Sequence, residues 1–146
     1  MSDFEWSCCD FTSPSDGSGT NQQMLYVDGS GTVGYDDVSI MISNAYFCQA
    51  NNPTSPSPMF VLTGANKILI SNCEFAWNGA TPSPLIHLKN GCKNVKFDGS
   101  IFDGSPTYPA ITIDSGCSNN SILGCFLNGA TISDSGTSTI IALNQP

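Results

Sequence analysis

A short glycine phrase recurs along the chain with its chemistry intact: Thr63-Gly64-Ala65-Asn66, Asn90-Gly91-Cys92-Lys93-Asn94, Ser115-Gly116-Cys117-Ser118-Asn119 and Ser135-Gly136-Thr137-Ser138. The glycines are spaced by 27, 25 and 20 residues, a period that marks stacked repeats in which no unit can bury its apolar face alone. Each phrase lies between two short apolar runs. Before the turn come Leu25-Tyr26-Val27, Phe60-Val61-Leu62, Ile86-His87-Leu88 and Ile111-Thr112-Ile113. After it come Ile40-Met41-Ile42, Ile68-Leu69-Ile70, Val95-Lys96-Phe97 and Asn120-Ser121-Ile122, with Ile140-Ile141-Ala142 opening a last, incomplete unit. The segment from Phe4 to Phe11 matches Ile68 to Phe75 position by position, so the repeat begins almost at Met1.

The runs are short, rich in β-branched and aromatic residues, and separated by Gly, Asn, Ser and Pro, with no helical period. They read as strands whose middle residue faces away from its two neighbours. Stacking the units aligns like with like and gives a parallel β-helix. Its inward columns are Ile42, Ile70, Phe97 and Ile122; the small residues Cys9, Ala45, Cys73, Ser100 and Cys125; and Phe11, Phe47, Phe75, Phe102 and Leu127, an aromatic stack suited to offset ring packing. Ser43-Asn44 and Ser71-Asn72 suggest a polar ladder at a corner. Trp6 and Asn144-Gln145-Pro146 are candidates to cover the open ends of the sheets.

With these repeats the chain resembles the right-handed parallel β-helices of the pectin-lyase-like superfamily, from about Phe4 to Leu143. That superfamily includes polysaccharide lyases, polygalacturonases and bacteriophage tailspike, fibre and decoration proteins. The resemblance implies an all-β chain, a single right-handed solenoid domain of about five coils spanning residues 1–146, with loops near 12–23, 49–58 and 78–84. Fold likeness of this kind leaves function to be argued from sites.

The formal charge is −8, and Lys67, Lys89, Lys93 and Lys96 are the only lysines in a chain without arginine. Phosphate neutralisation needs a basic patch, so nucleic acid is not an expected partner. No apolar run approaches a membrane span, and Met1-Ser2-Asp3-Phe4-Glu5-Trp6 has neither the basic start nor the apolar stretch of a signal peptide. The expectation is synthesis in a cytoplasm and residence in a virus particle.

Seven cysteines, Cys8, Cys9, Cys48, Cys73, Cys92, Cys117 and Cys125, follow the repeat rather than a disulfide framework. Cys92 and Cys117 share one place in adjacent units, where a disulfide is geometrically conceivable and stacked thiols are the ordinary outcome in a reducing compartment. Zinc is not expected, because no Cys-x-x-Cys pair exists and His87 is the single histidine. No cofactor is expected either.

Catalysis would need paired carboxylates on one face, about 5–9.5 Å apart in a glycosidase. Asp98 and Asp103 are the candidates, set against the plainer reading of turn-forming acids. The resemblance argues against an enzyme. Pectate and pectin lyases use an arginine base, and the Asn-Thr-Asp, Gly-His-Gly and Arg-Ile-Lys elements of polygalacturonases are absent from this sequence. His87 is expected outward between Val61 and Thr112, with no nucleophile beside it.

The outward columns point to assembly. If Cys73 and Phe75 face in, then Asp10, Tyr46, Glu74, Ile101 and Phe126 face out, and a second column, Met41, Leu69, Lys96 and Ser121, is apolar in its first half. Large apolar side chains clustered toward solvent are a reason for an interface. A one-residue change of phase at the bend would bury them and expose the cysteines. Phage proteins of the resembled group assemble as threefold bundles, which implies a homotrimer in contact with capsid or tail proteins. The resulting expectation is a non-enzymatic capsid decoration or cement protein. The alternative is a tailspike or fibre fragment that binds or cleaves host surface polysaccharide, with Trp77 and Tyr108 as the aromatic platforms for a host glycan.

Overall fold

The computed structural model describes residues 4–7, 10–13, 24–29, 40–50, 58–78, 84–103 and 109–146. Within them the chain is all β, with fifteen strands, and every strand pair is parallel. The strands form three sheets. The first contains β1 (Phe4–Ser7), β4 (Ile40–Ser43), β7 (Asn66–Ser71), β10 (Lys93–Asp98), β13 (Ser121–Leu123) and β15 (Ile140–Ala142), in that order across the sheet. The second contains β2 (Asp10–Ser13), β5 (Tyr46–Ala50), β8 (Glu74–Asn78) and β11 (Ile101–Asp103), and single bridges carry it on through Phe126 to Gln145. The third contains β3 (Leu25–Asp28), β6 (Phe60–Thr63), β9 (Ile86–Lys89), β12 (Pro109–Ile113) and β14 (Thr131–Asp134). Successive repeats visit third, first and second sheet in turn, an architecture compatible with a β-helix-like solenoid.

The repeat register read from the sequence holds at the level of Cα partners. Phe4 pairs with Ile40 and Ile40 with Ile68, while Phe11 pairs with Phe47 and Phe47 with Phe75. Leu25, Phe60, Ile86 and Ile111 form one row of the third sheet. Ile42, Ile70, Phe97 and Ile122 are buried, as are Ala45, Cys73, Ser100, Cys125, Phe47, Phe75, Phe102 and Leu127. The inward phase at the bend is thus the one expected. The rings of Phe47 and Phe75 stack at 5.1 Å and those of Phe75 and Phe102 at 5.2 Å, with Phe60 edge-on to both Phe47 and Phe75.

The corners explain the asparagines and glycines. Between the first and second sheets, Asn44, Asn72, Gly99, Gly124 and Leu143 all have positive φ, from 50° to 59°. That left-handed turn suits Gly and Asn and strains a side chain such as Leu. Main-chain bonds link this corner from repeat to repeat, Asn44 N–H to Ser71 C=O and Asn72 N–H to Asp98 C=O. The side-chain amide bond lies at the other corner, where Asn94 Nδ2 donates to Asn66 Oδ1 at 2.8 Å, instead of at Asn44 and Asn72.

Four details depart from the sequence reading. A strand precedes Gly136, namely β14, whose one buried-side aliphatic, Ile132, gives a weak signal. Ser118 bridges Thr137, which places Gly136 opposite Cys117 and not opposite Gly116. A Cβ on Gly136 would sit 2.9 Å from the Cys117 carbonyl oxygen, so this inward place in the last repeat stays without a side chain. Val61 occupies an outward strand position yet is buried; it lies between Tyr26 and His87 on the sheet, two larger side chains that flank it. Asn120 precedes β13 and is itself buried, in the row of Ile68 and Val95.

Of the expected loops, residues 14–23, 51–57 and 79–83 lie outside the described residues, whereas Thr12-Ser13, Gln49-Ala50 and Asn78 belong to strands. Cys8, Cys9 and Tyr108 also lie outside them. Among the described residues no helix is long and apolar enough to cross a membrane.

Candidate functional site

The outward face of the second sheet carries the expected row. Tyr46 pairs with Glu74, Glu74 with Ile101, and Ile101 bridges Phe126. Strand alternation turns these residues away from Phe47, Phe75, Phe102 and Leu127, which fill the core. Ile101 and Phe126 are each 41 % exposed, adjacent across one strand spacing, whereas Tyr46 and Glu74 are half-buried. On the first sheet Met41 is exposed and pairs with the half-buried Leu69; beyond it follow Lys96 and Ser121. The apolar character returns at Ile140, paired with Ser121 and 59 % exposed. Leu143, in the corner between these two sheets, is also exposed. Ile101, Phe126, Ile140 and Leu143 thus collect on the last two or three repeats; Ile140 and Leu143 are additions to the surface expected from the sequence.

The candidate acids lie on different sheets. Asp98 ends β10 on the first sheet and its Oδ2 is 2.9 Å from Lys96 Nζ. Asp103 ends β11 on the second sheet and accepts from Asn128 Nδ2 at 2.5 Å. Each carboxylate has its own partner on a different sheet.

One polar pair is visible only in three dimensions. His87 stands outward on β9 opposite Thr112, and its Nε2 is 2.8 Å from Asp114 Oδ1. Alternation explains the meeting: Asp114 follows Thr112 by two residues and so projects from the same face, one diagonal step from His87. The imidazole is largely covered and the carboxylate more open. The pair joins β9 of one repeat to the residue that follows β12 of the next, a tie between adjacent repeats.

Cys92 and Cys117, the candidate disulfide pair, are free thiols in this structure. Cys92 Sγ donates to the Leu62 carbonyl at 2.9 Å, and burial pushes its thiol up to about 11. Cys73 and Cys125 are likewise buried free thiols raised by desolvation. A raised value favours the inert S–H over the reactive thiolate. Among the described residues no group of three or more His, Cys, Asp or Glu side chains is placed to hold a metal ion. Trp77 lies within β8, one residue from its end, and its side chain is outside the described residues, as is the whole of Tyr108.

Comparison with protein-family models, with curated proteins and with solved structures finds no match for the chain.

Proposed function

We propose that this chain is a right-handed parallel β-helix that works as a non-enzymatic structural protein of a virus particle, a capsid decoration or cement protein of a bacteriophage assembled as a homotrimer. The observation that carries the reading is the exposed pair Ile101 and Phe126, side by side on the second sheet, with Ile140 exposed on the first sheet and Leu143 exposed at the corner between the two. Water contact on so much adjacent apolar surface is unfavourable, and closed threefold symmetry would bury the same strip on every copy. The repeat resemblance to phage β-helices supplies the viral setting and the handedness. Asp98 and Asp103 lie on different sheets and each carboxylate has its own partner, which supports the assembly reading over glycan cleavage.

Light scattering on a dilution series tests the proposal. The expected result is a mass of three chains that persists on dilution and falls to one chain in Ile101→Asp/Phe126→Asp, with the β-sheet circular dichroism unchanged. A wild-type monomer at every concentration removes the homotrimer. A variant that retains the wild-type mass removes this strip as the interface.

A further inference from the structure

Among the five described cysteines, one pair stands in register on neighbouring repeats. Lys93 bridges Ser118, and Ser118 N–H donates to the Cys92 carbonyl at 2.9 Å, which sets Cys117 directly beside Cys92. Cys73 and Cys125 lie two repeats apart with Ser100 between them: Cys73 N–H donates to Ser100 Oγ, and Phe126 N–H to the Ser100 carbonyl. Cys48 has Ala76 as its strand partner. Cys92 and Cys117 are both fully buried. Adjacent strands lie about 4.8 Å apart, within the roughly 4.4–6.8 Å between Cα atoms that a disulfide spans. The places on either side in this column hold Ala65 and Gly136, small residues that give the sulfurs room to approach.

We propose that Cys92 and Cys117 form an oxidisable pair that closes to a disulfide between the two repeats. The oxidant is a small-molecule disulfide. One thiol gives its proton to solvent, and its thiolate attacks the oxidant's S–S bond and expels one thiolate. The second cysteine, deprotonated in turn, attacks the mixed disulfide and expels the other. Two S–H bonds are lost, one S–S bond forms between the repeats, and the two electrons leave with the oxidant as two thiols. Burial slows the first step, because the corner has to open before a thiolate forms. The product is uncharged and suits an apolar core better than a thiolate does. The new link closes a loop from residue 92 to residue 117, and so restricts the unfolded chain. This inference stands apart from the viral reading.

The test uses the full chain, oxidised with glutathione disulfide both in the native state and through one cycle of unfolding and refolding. The expected product has lost two hydrogens, about 2 Da, and yields a proteolytic peptide joining Cys92 to Cys117. Its thermal midpoint rises by several degrees and returns to the starting value with dithiothreitol. Cys117→Ala, which follows the precedent of Ala65 in the same column, is expected to fold and to show neither change. Oxidation that joins other cysteines, a stable glutathione adduct on Cys92, or an unchanged mass after the unfolding cycle would each overturn the proposal.

Discussion

Phe75 and Phe102 lie parallel across one repeat spacing, their ring centroids 5.2 Å apart and their planes within 6°. Phe75 also stacks on Phe47 and takes the edge of Phe60, so it is the shared member of a four-ring cluster. Deleting it removes both the transfer energy of the ring and the contacts of three neighbours. Phe75→Ala is expected to lower unfolding free energy by about 3–5 kcal/mol. Phe75→Leu, which keeps most of the volume, is expected to cost roughly half of that. Urea denaturation of the two variants checks the ordering, and equal losses would contradict the stack as a source of stability.

The corner between the first and second sheets offers a sharper test of backbone strain. Gly99 and Gly124 share a φ of 59°, but a Cβ on Gly99 would stand 2.9 Å from Asn72 Oδ1 whereas one on Gly124 meets nothing within 4 Å. Gly124→Ala is expected to cost about 1–2 kcal/mol, the left-handed penalty alone. Gly99→Ala is expected to cost more, since the Asn72 side chain has to move as well. Leu143 holds the same turn with φ 59° and is almost fully exposed. Leu143→Gly is therefore expected to stabilise the single chain by about 1 kcal/mol, read as a higher denaturation midpoint in the monomeric Ile101→Asp/Phe126→Asp background.

The stacked interior was legible in the sequence because Phe47, Phe75 and Phe102 recur at the same offset from Asn44, Asn72 and Gly99. A repeated offset survives loops of any length between repeats. The strand Thr131–Asp134 was not legible, since Ile132 is its lone aliphatic and the following turn is shortened, which moves Gly136 into the place of Cys117. His87 and Asp114 meet on a diagonal between repeats, so neither signals the other along the chain. The signal was there once the register was known, because Thr112 faces His87 and Asp114 follows on the same side. Asn120 was hidden for another reason: a polar residue in the row of Ile68 and Val95 reads as the start of a strand and not as core.

Two asparagines tie down the last repeats. Asn120 Oδ1 accepts from Val95 N–H at 3.0 Å, while its Nδ2 is buried without a partner. Asn144 Oδ1 accepts from Cys125 N–H at 2.8 Å and its Nδ2 donates to the Ile122 carbonyl at 3.0 Å. Truncating Asn144 leaves the Cys125 N–H without its acceptor and takes one of the donors from the Ile122 carbonyl. Asn144→Ala is expected to cost about 1–3 kcal/mol. Hydrogen exchange gives the local readout: the Cys125 amide is expected to lose protection in the variant while the Phe75 amide changes less.

Alkaline pH provides the last test. Burial raises the Cys92 thiol from an ordinary value of 9.0 to about 11, and desolvation raises Cys73 and Cys125 in the same direction. Between those values the unfolded chain releases the Cys92 proton and the folded chain retains it. The unfolded state then binds fewer protons, and stability falls as pH rises through this window. The stabilisation is complete below pH 9 and is lost by the time the folded thiol titrates near 11. Cys92 alone contributes on the order of 2–3 kcal/mol to that loss. Urea midpoints measured at pH 8, 9, 10 and 11 in the presence of a reductant are expected to decline over this range. Cys92→Ala, which repeats the residue found at Ala65 in the same column, is expected to start lower from lost packing and to decline less steeply. Parallel slopes for the two proteins would mean that the Cys92 proton does not contribute to the alkaline limit of the fold.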